Sequence, residues 1–291
     1  MASAAPLRAP TMNSDTATSL KSFLQAALNR AGIYERAKAS WVYDCYRALA
    51  DKQIIEDRRK EICFYLDLLQ GFRKGDLIFD VGASVGYKTD VFLRVGARVV
   101  AVEPDDLNQR ILQQKFLDYR FKRKPFALMA KALGEENSVQ KMWIDRPGSA
   151  LNTLSQKWAE ALRQDQSRFG QRVEFNESIE VDVVTIEELI RLHGEPFFIK
   201  VDVEGHELAV LRGMRRPVPY LSFEVNLPEF KEEGLECIQV LARLKPSGKF
   251  NYTPNLRNGL ALREWVSADE IVIILNSCPE RSIEVFWKTR V

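Results

Sequence analysis

Residues 77–89, Leu-Ile-Phe-Asp-Val-Gly-Ala-Ser-Val-Gly-Tyr-Lys-Thr, restrict the chain more than any other stretch. Leu77, Ile78, Phe79 and Val81 make a short apolar run of the kind that forms a strand buried on both faces, and Asp80 interrupts it near its end. Gly82, Ala83, Ser84, Val85 and Gly86 follow, and residues 89–95 have helical spacing. A strand that turns through small residues straight into a helix leaves bare backbone for a ligand to press against. The N–H groups and dipole of the helix start favour a carboxylate or phosphate there.

Seventeen residues beyond Gly86, Glu103 closes a second apolar run, Val99-Val100-Ala101-Val102. In an open α/β sheet, an acid at the tip of the second strand sits beside the first glycine turn, where its oxygens can accept both hydroxyls of a ribose. One half of such a site wants a carboxylate and the other a nucleoside. S-adenosylmethionine (SAM) has both. The dinucleotide pattern G-x-G-x-x-G is not met, because no glycine lies between Gly82 and Gly86. A P-loop needs four residues between its glycines and a lysine directly after the second; here three intervene, and Tyr87 precedes Lys88-Thr89. A glycine turn that merely packs a helix on a strand is the bland alternative, and Glu103 at this distance argues against it.

With 291 residues and 46% hydrophobic content, the chain can bury the core of one large α/β domain with an appendage. Lysine and arginine number 42 against 40 acids, a net charge of +2 that supplies no electrostatic case for nucleic acid or an anionic membrane. Cys45, Cys63, Cys237 and Cys278 include no C-x-x-C pair and read as reduced, mostly buried thiols of a cytoplasmic protein. No apolar stretch reaches the length of a membrane span.

Residues 1–19 read as a flexible tail without a secretory pattern. Residues 20–72 read as an N-terminal helical cap of three helices, about 20–31, 34–50 and 54–70, rich in aromatics. Residues 73–291 then make the main domain. A basic cluster at 120–124 reads as a solvated helix end. The third strand is expected at 126–131, with Lys131, Ala132 and Leu133 near the adenine. Residues 134–196 are too long for a simple crossover and form an insertion expected to cover the substrate. Within it, 139–144 and 179–184 read as strands, 155–167 as a helix, and the polar piece 146–155 as a flexible lid. Thr185 and Glu188 form a capping-box pattern, as do Ser267 and Glu270. Further strands are expected at 250–253, 261–266 and, as an edge strand, 282–288, with a helix at 237–244.

The second chemical stretch, 197–207, repeats the design of the first: Phe-Phe-Ile-Lys-Val-Asp-Val-Glu-Gly-His-Glu is a buried strand, then acids, a glycine and a helix. In extended backbone Asp202, Glu204 and His206 would share one face. The next strand, 221–226, places Glu224 near its carboxyl end, so two neighbouring strands aim acids at one crevice. Blandly, Glu204 could cap the following helix.

These residues resemble a known family. Residues 79–89 are similar to motif I of SAM-dependent methyltransferases, and together with 185–190, Ile199-Lys-Val-Asp-Val-Glu-Gly-His-Glu207 and 221–225 they resemble the FkbM family. The family commonly has Asn where Ser84 stands. The resemblance implies a class I, Rossmann-like α/β fold with a seven-stranded doubly wound sheet, and an O-methyltransferase acting on a hydroxyl of a sugar, glycan or related small metabolite. It implies SAM held by Asp80, Gly82, Ala83, Ser84, Gly86, Tyr87, Thr89, Glu103, Pro104, Lys131, Ala132 and Asp202. Asp202 or His206 is the expected base, with Glu204 and Glu224 orienting the acceptor. Magnesium between Asp202 and Glu224 is an alternative and not the favoured one. Homodimerisation is left open, and neither nucleic acid nor a membrane is an expected partner. Gly82→Val is expected to abolish SAM binding while leaving the fold intact. The rivals are a non-catalytic SAM-fold binding protein in glycan assembly and, more weakly, a nicotinamide-dependent oxidoreductase.

Overall fold

The computed structural model describes residues 52–117, 126–165, 168 and 173–289. The expected tail, the first two helices of the cap, the basic cluster and Cys45 lie outside the described residues. The chain divides into two units, Met1–Ile55 and Glu56–Val291, and every described strand belongs to the second.

The first glycine unit folds as its pattern dictates. Strand β1 (Leu77–Val81) is buried throughout, and helix α2 (Tyr87–Val95) starts directly after Gly86. Helix α1 (Lys52–Leu68) precedes them; β2 (Arg98–Val102), α3 (Asp106–Lys115) and β3 (Phe126–Met129) complete the first half. After β3 the chain leaves the main sheet. Strands β4 (Ala132–Leu133), β5 (Ser138–Ile144) and β6 (Glu177–Val184) form a separate three-stranded sheet in the order β4-β6-β5, with α4 (Gln156–Gln164) between β5 and β6. Helix α5 (Ile186–His193) returns the chain to β7 (Phe198–Val201), α6 (Glu207–Arg212), β8 (Tyr220–Asn226), α7 (Lys231–Leu244), β9 (Lys249–Thr253), α8 (Ala268–Asn276) and β10 (Ser282–Lys288).

The main sheet has seven strands in the order β3-β2-β1-β7-β8-β10-β9, the α/β class expected. Its pairs are parallel except those made by β10. Alternation along the strands builds a core on each face: Phe79, Val81, Ile199 and Val201 meet α5–α8, whereas Ile78 and Phe198 meet α1–α3. Tyr65, Phe92 and Phe198 interlock on the second face, with ring centroids 4.9 Å apart for Tyr65–Phe92 and 5.7 Å for Phe92–Phe198. Edge-to-face pairs of this kind add about 1 kcal/mol each beyond their buried area.

Several expectations need correction. Strand β10 is not an edge: it pairs along its length with β8 on one side and with the shorter β9 on the other, and β9 takes the border. Residues 261–266 make a single bridge, Phe250↔Val266, rather than a strand. Residues 126–131 do not form one strand; pairing with β2 stops at Met129, and Ala132 pairs with Val183 instead. Helix α7 begins at Lys231, ahead of the expected 237. Of the thiols, Cys237 is buried but Cys63 is exposed. Ser267 and Glu270 form the reciprocal capping box, but at Thr185 only the forward half exists. Glu188 is drawn off by a two-point ion pair with Arg191, and the Thr185 N–H goes to Asn137. Among the described residues, no helix is long and apolar enough to cross a membrane.

Candidate active site

A cleft opens at the carboxyl ends of β1, β2 and β7, under the inserted sheet. Gly82 and Ser84 form one wall, with left-handed backbone at both (φ 80° and 48°). The turn is pinned from behind: Gly82 and Ala83 N–H groups donate to the Val102 carbonyl, tying it to β2. Glu103 and Pro104 border it beside Ser84, and Val81, Leu133 and Met142 add apolar lining.

Glu103 is almost wholly buried. Its carboxylate accepts the Ser84 N–H at 2.7 Å and the Asp105 N–H at 2.9 Å, so it fastens the glycine turn to the start of α3. Burial pushes its pKa up to about 7, against the pull of those two hydrogen bonds. The Asn108 side chain is a third hydrogen-bonding neighbour of this carboxylate.

Not every expected cofactor residue reaches the cleft. Gly82, Ser84, Glu103, Pro104, Lys131, Ala132 and Asp202 line it. Asp80 is buried behind the turn, where the Thr89 hydroxyl donates to it at 2.5 Å, and Ala83 is buried as well. Gly86 faces α3; a Cβ there would lie 2.6 Å from Leu112 and 2.7 Å from Phe116, so this glycine serves helix packing. Tyr87 is half exposed, with the Lys115 ammonium 4.9 Å from its ring centre. At Gly82 a Cβ would stand 1.7 Å from the Asp202 carbonyl oxygen, an overlap with backbone that nothing flexible can relieve. Gly82→Val therefore attacks the fold itself, contrary to expectation.

The second glycine unit departs from extended backbone straight after β7. Glu204 is left-handed (φ 53°) and Gly205 follows at φ 87°. The turn separates the three residues expected on one face. Asp202 and Glu204 converge with Glu224 from β8, an oxygen of each lying within 4.8 Å of the others. His206 stands apart, as the residue before α6, and lines the cleft near Gly134. Glu204 does not cap α6: its carboxyl accepts the Trp158 indole N–H at 2.9 Å. Glu207 braces the turn, accepting the Val203 and Gly205 N–H groups.

Lys200, inside β7, supplies the positive charge. Its ammonium is buried and meets Asp202 at 2.6 Å. Burial opposes that charge, but Asp202, Glu284 and Asp80 more than offset it and hold the lysine charged. Burial likewise opposes ionisation of Asp202, and Lys200 overcomes it, so its carboxyl stays below the ordinary range. The neighbouring acids respond in the opposite sense. Glu204 rises to about 8 through burial and then the Asp202 charge, and Glu224 rises well above the ordinary range for the same reasons. At neutral pH the cluster is one carboxylate–ammonium pair flanked by two uncharged carboxyls, because adjacent like charges in a desolvated site cannot all persist. The Ser282 hydroxyl donates to Glu224 at 2.7 Å. His206 is pushed down to about 4 by burial and is neutral.

Residues 146–155 are tied down rather than loose. The Gly148 N–H and the Asn152 side-chain amide donate to Asp105 at 3.1 and 3.0 Å, and the Thr153 hydroxyl donates to the Glu204 carbonyl at 2.6 Å. Ser149, Asn152 and Leu154 close one side of the cleft. Two polar atoms lining it, Asn108 Oδ1 and His206 Nε2, are buried with no hydrogen-bond partner among the described residues. Buried polar atoms are rarely left unpaired, so a polar ligand fits this cleft. Sequence reasoning missed Lys200, although a lysine inside an apolar five-residue run is itself a signal of a buried charge. It also missed Glu207, whose partners lie in the turn just before it, and Trp158, whose partner Glu204 only folding brings near.

Residues 80–257 match the profile of the methyltransferase FkbM domain. No curated protein matches the chain. Similar solved structures include precorrin-6y C5,15-methyltransferase from Geobacter metallireducens GS-15, at 6% identity and TM-score 0.41, covering 81% of this chain and 87% of that one. A putative RNA methyltransferase from Pyrococcus horikoshii is similar at 11% identity and TM-score 0.40, covering 80% and 83%. The METTL16 methyltransferase domain is similar at 8% identity and TM-score 0.43, covering 81% and 69%.

Proposed function

The chain belongs to the FkbM family of SAM-dependent methyltransferases, and from that premise we propose that it methylates a hydroxyl oxygen of a sugar, glycan or related small metabolite. The observation that carries this reading is the acid cluster at the rim of the cofactor cleft, with Asp202 belonging to both. The cleft suits SAM: apolar lining for adenine, Glu103 for the ribose hydroxyls, and bare backbone around Gly82 and Ser84 for the amino-acid end. When bound, SAM supplies a methyl group on a sulfonium, which leaves readily.

The protein's own work is alignment and proton handling. Glu204 and Glu224, uncharged, donate to and accept from the acceptor hydroxyl and fix its direction. Asp202, kept ionised by Lys200, takes the hydroxyl proton. A carboxylate of depressed pKa suffices, because an alcohol oxygen becomes strongly acidic as its bond to carbon forms. His206, neutral and with Nε2 free, contacts the cofactor side of the cleft. Magnesium at Asp202, Glu204 and Glu224 is the rival arrangement suggested by their spacing, and it would have to compete with the Lys200 ammonium.

Calorimetry with SAM, followed by incubation of methyl-tritiated SAM with host glycan and metabolite extracts, tests the reading. Label in alkali-stable ethers, unaffected by EDTA, is expected. Label only in esters, amines or carbon positions would sink O-methylation, and loss of transfer with EDTA would favour the metal.

A further inference from the structure

A second cleft, of about 380 Å³, lies on the far side of the acid cluster, at the carboxyl ends of β8 and β9 and under α1 and the start of α2. Asp202 lines both clefts, and Lys200 and Glu224 line the second alone. The walls differ in kind. The lining surface of the cofactor cleft is mainly apolar, whereas Glu61, Lys88, Glu284, Asn255 and Arg257 border the second.

The charges here are already matched. Lys88 pairs with Glu61 at 2.7 Å, Lys200 with Asp202 at 2.6 Å, and Arg257 with Asp57 at 2.9 Å. Glu284 is held by the Ser222 hydroxyl at 2.7 Å and faces Glu224 across the β8–β10 pair. Among the described residues, no cation lining the cleft lacks a carboxylate. An anion entering would give up its hydration, meet Glu284, and find no positive charge to replace the water. Hydroxyl groups face no such penalty. They can accept from the unused N–H bonds of Lys88 and donate to the spare lone pairs of Glu61 and Glu284.

Resting on the methyl-transfer reading, we infer that this second cleft is the acceptor pocket, that Lys88, Leu256 and Arg257 shape it, and that it selects uncharged hydroxylated acceptors over their anionic counterparts. Asp202 borders both clefts, so an acceptor oxygen in the second can meet a SAM methyl group in the first beside this carboxylate, which takes the hydroxyl proton while oxygen, methyl carbon and sulfur line up past it.

The full-length protein is assayed with SAM and three probe sets: methyl hexopyranosides, the matching uronic acids and hexose phosphates, and amino sugars. Binding to enzyme saturated with S-adenosylhomocysteine is followed in parallel by saturation-transfer NMR. Uncharged probes are expected to show kcat/KM at least about tenfold above the anionic ones. Lys88→Met and Arg257→Met should raise acceptor KM, or weaken probe binding, by about tenfold, with SAM affinity unchanged. Leu256→Trp, which fills the cleft, should abolish acceptor binding while SAM still binds and so reports an intact fold. Equal use of anionic probes overturns the selectivity. Unchanged probe binding in Leu256→Trp and in both Met variants overturns the pocket. Methylation of amino-sugar nitrogen alone, with the variant effects intact, sinks O-transfer but leaves the pocket standing.

Discussion

The two strand–glycine–helix turns, Val81 to Gly86 and Val201 to Gly205, lie side by side on parallel strands and use the same backbone device for opposite ends. Each has a non-glycine residue in left-handed backbone, Ser84 or Glu204, close to a glycine of positive φ. In the first, the acid of the strand, Asp80, is buried and bonded to Thr89, so the turn presents main chain. In the second, the acids follow the strand and project, so the turn presents carboxyls. A left-handed turn thus decides only where the chain bends. What the bend offers a ligand depends on whether its acids fall before or after the strand end.

The widest gap between the turns should appear on adding a side chain. Gly82→Val is expected to lose more than about 4 kcal/mol of stability and to yield little folded protein, since its Cβ meets Asp202 backbone. Gly205→Ala meets the ring of Phe230 at 2.5 Å, and its cost should be nearer about 2 kcal/mol. Chemical melts of both variants check this, and equal losses would erase the distinction. Asp202→Asn should cost about a hundredfold in turnover with SAM affinity nearly unchanged, read by single-turnover kinetics beside calorimetry.

Glu103→Gln should do the reverse, weakening SAM binding by about tenfold while leaving the turnover of saturated enzyme close to normal. Because burial holds Glu103 at about 7, wild-type affinity should rise as pH climbs through 7 and ionises it, a dependence the Gln variant lacks. The smallest effect concerns Glu204. Its folded pKa of about 8 lies above the ordinary 4.5, so its favourable contribution is complete below about 4.5 and is lost as pH rises through about 8. Thermal melts of Glu204→Gln should therefore fall less steeply than wild type between about pH 5 and 8.5. Parallel curves would place the proton elsewhere in the cluster.

Much of the frame was legible in the chain. The residue limits of β1, the helix that follows it, and the acid closing β2 come from local pattern: a short apolar run, a glycine turn, and helical spacing. Asp202, Glu204 and Glu224 were legible as candidates for the same reason. Their arrangement was not, because extended backbone was assumed where Glu204 adopts a left-handed turn, and this is what parts His206 from the acids. The place of β10 inside the sheet was hidden for a similar reason, since burial alternation looks alike beside one neighbour or two.

The amino-acid order by itself settled the strand and helix flanking the first glycine turn and which acids sit at strand tips, since those follow from neighbours a few residues apart. Folding alone decided that Glu224 joins Asp202, that Trp158 finds Glu204, and that Glu61, Lys88 and Arg257 border one cleft. The physical reason is burial: charge states and partners in this site are set by desolvation and by groups tens of residues away, and neither exists until the sheet and its layers close.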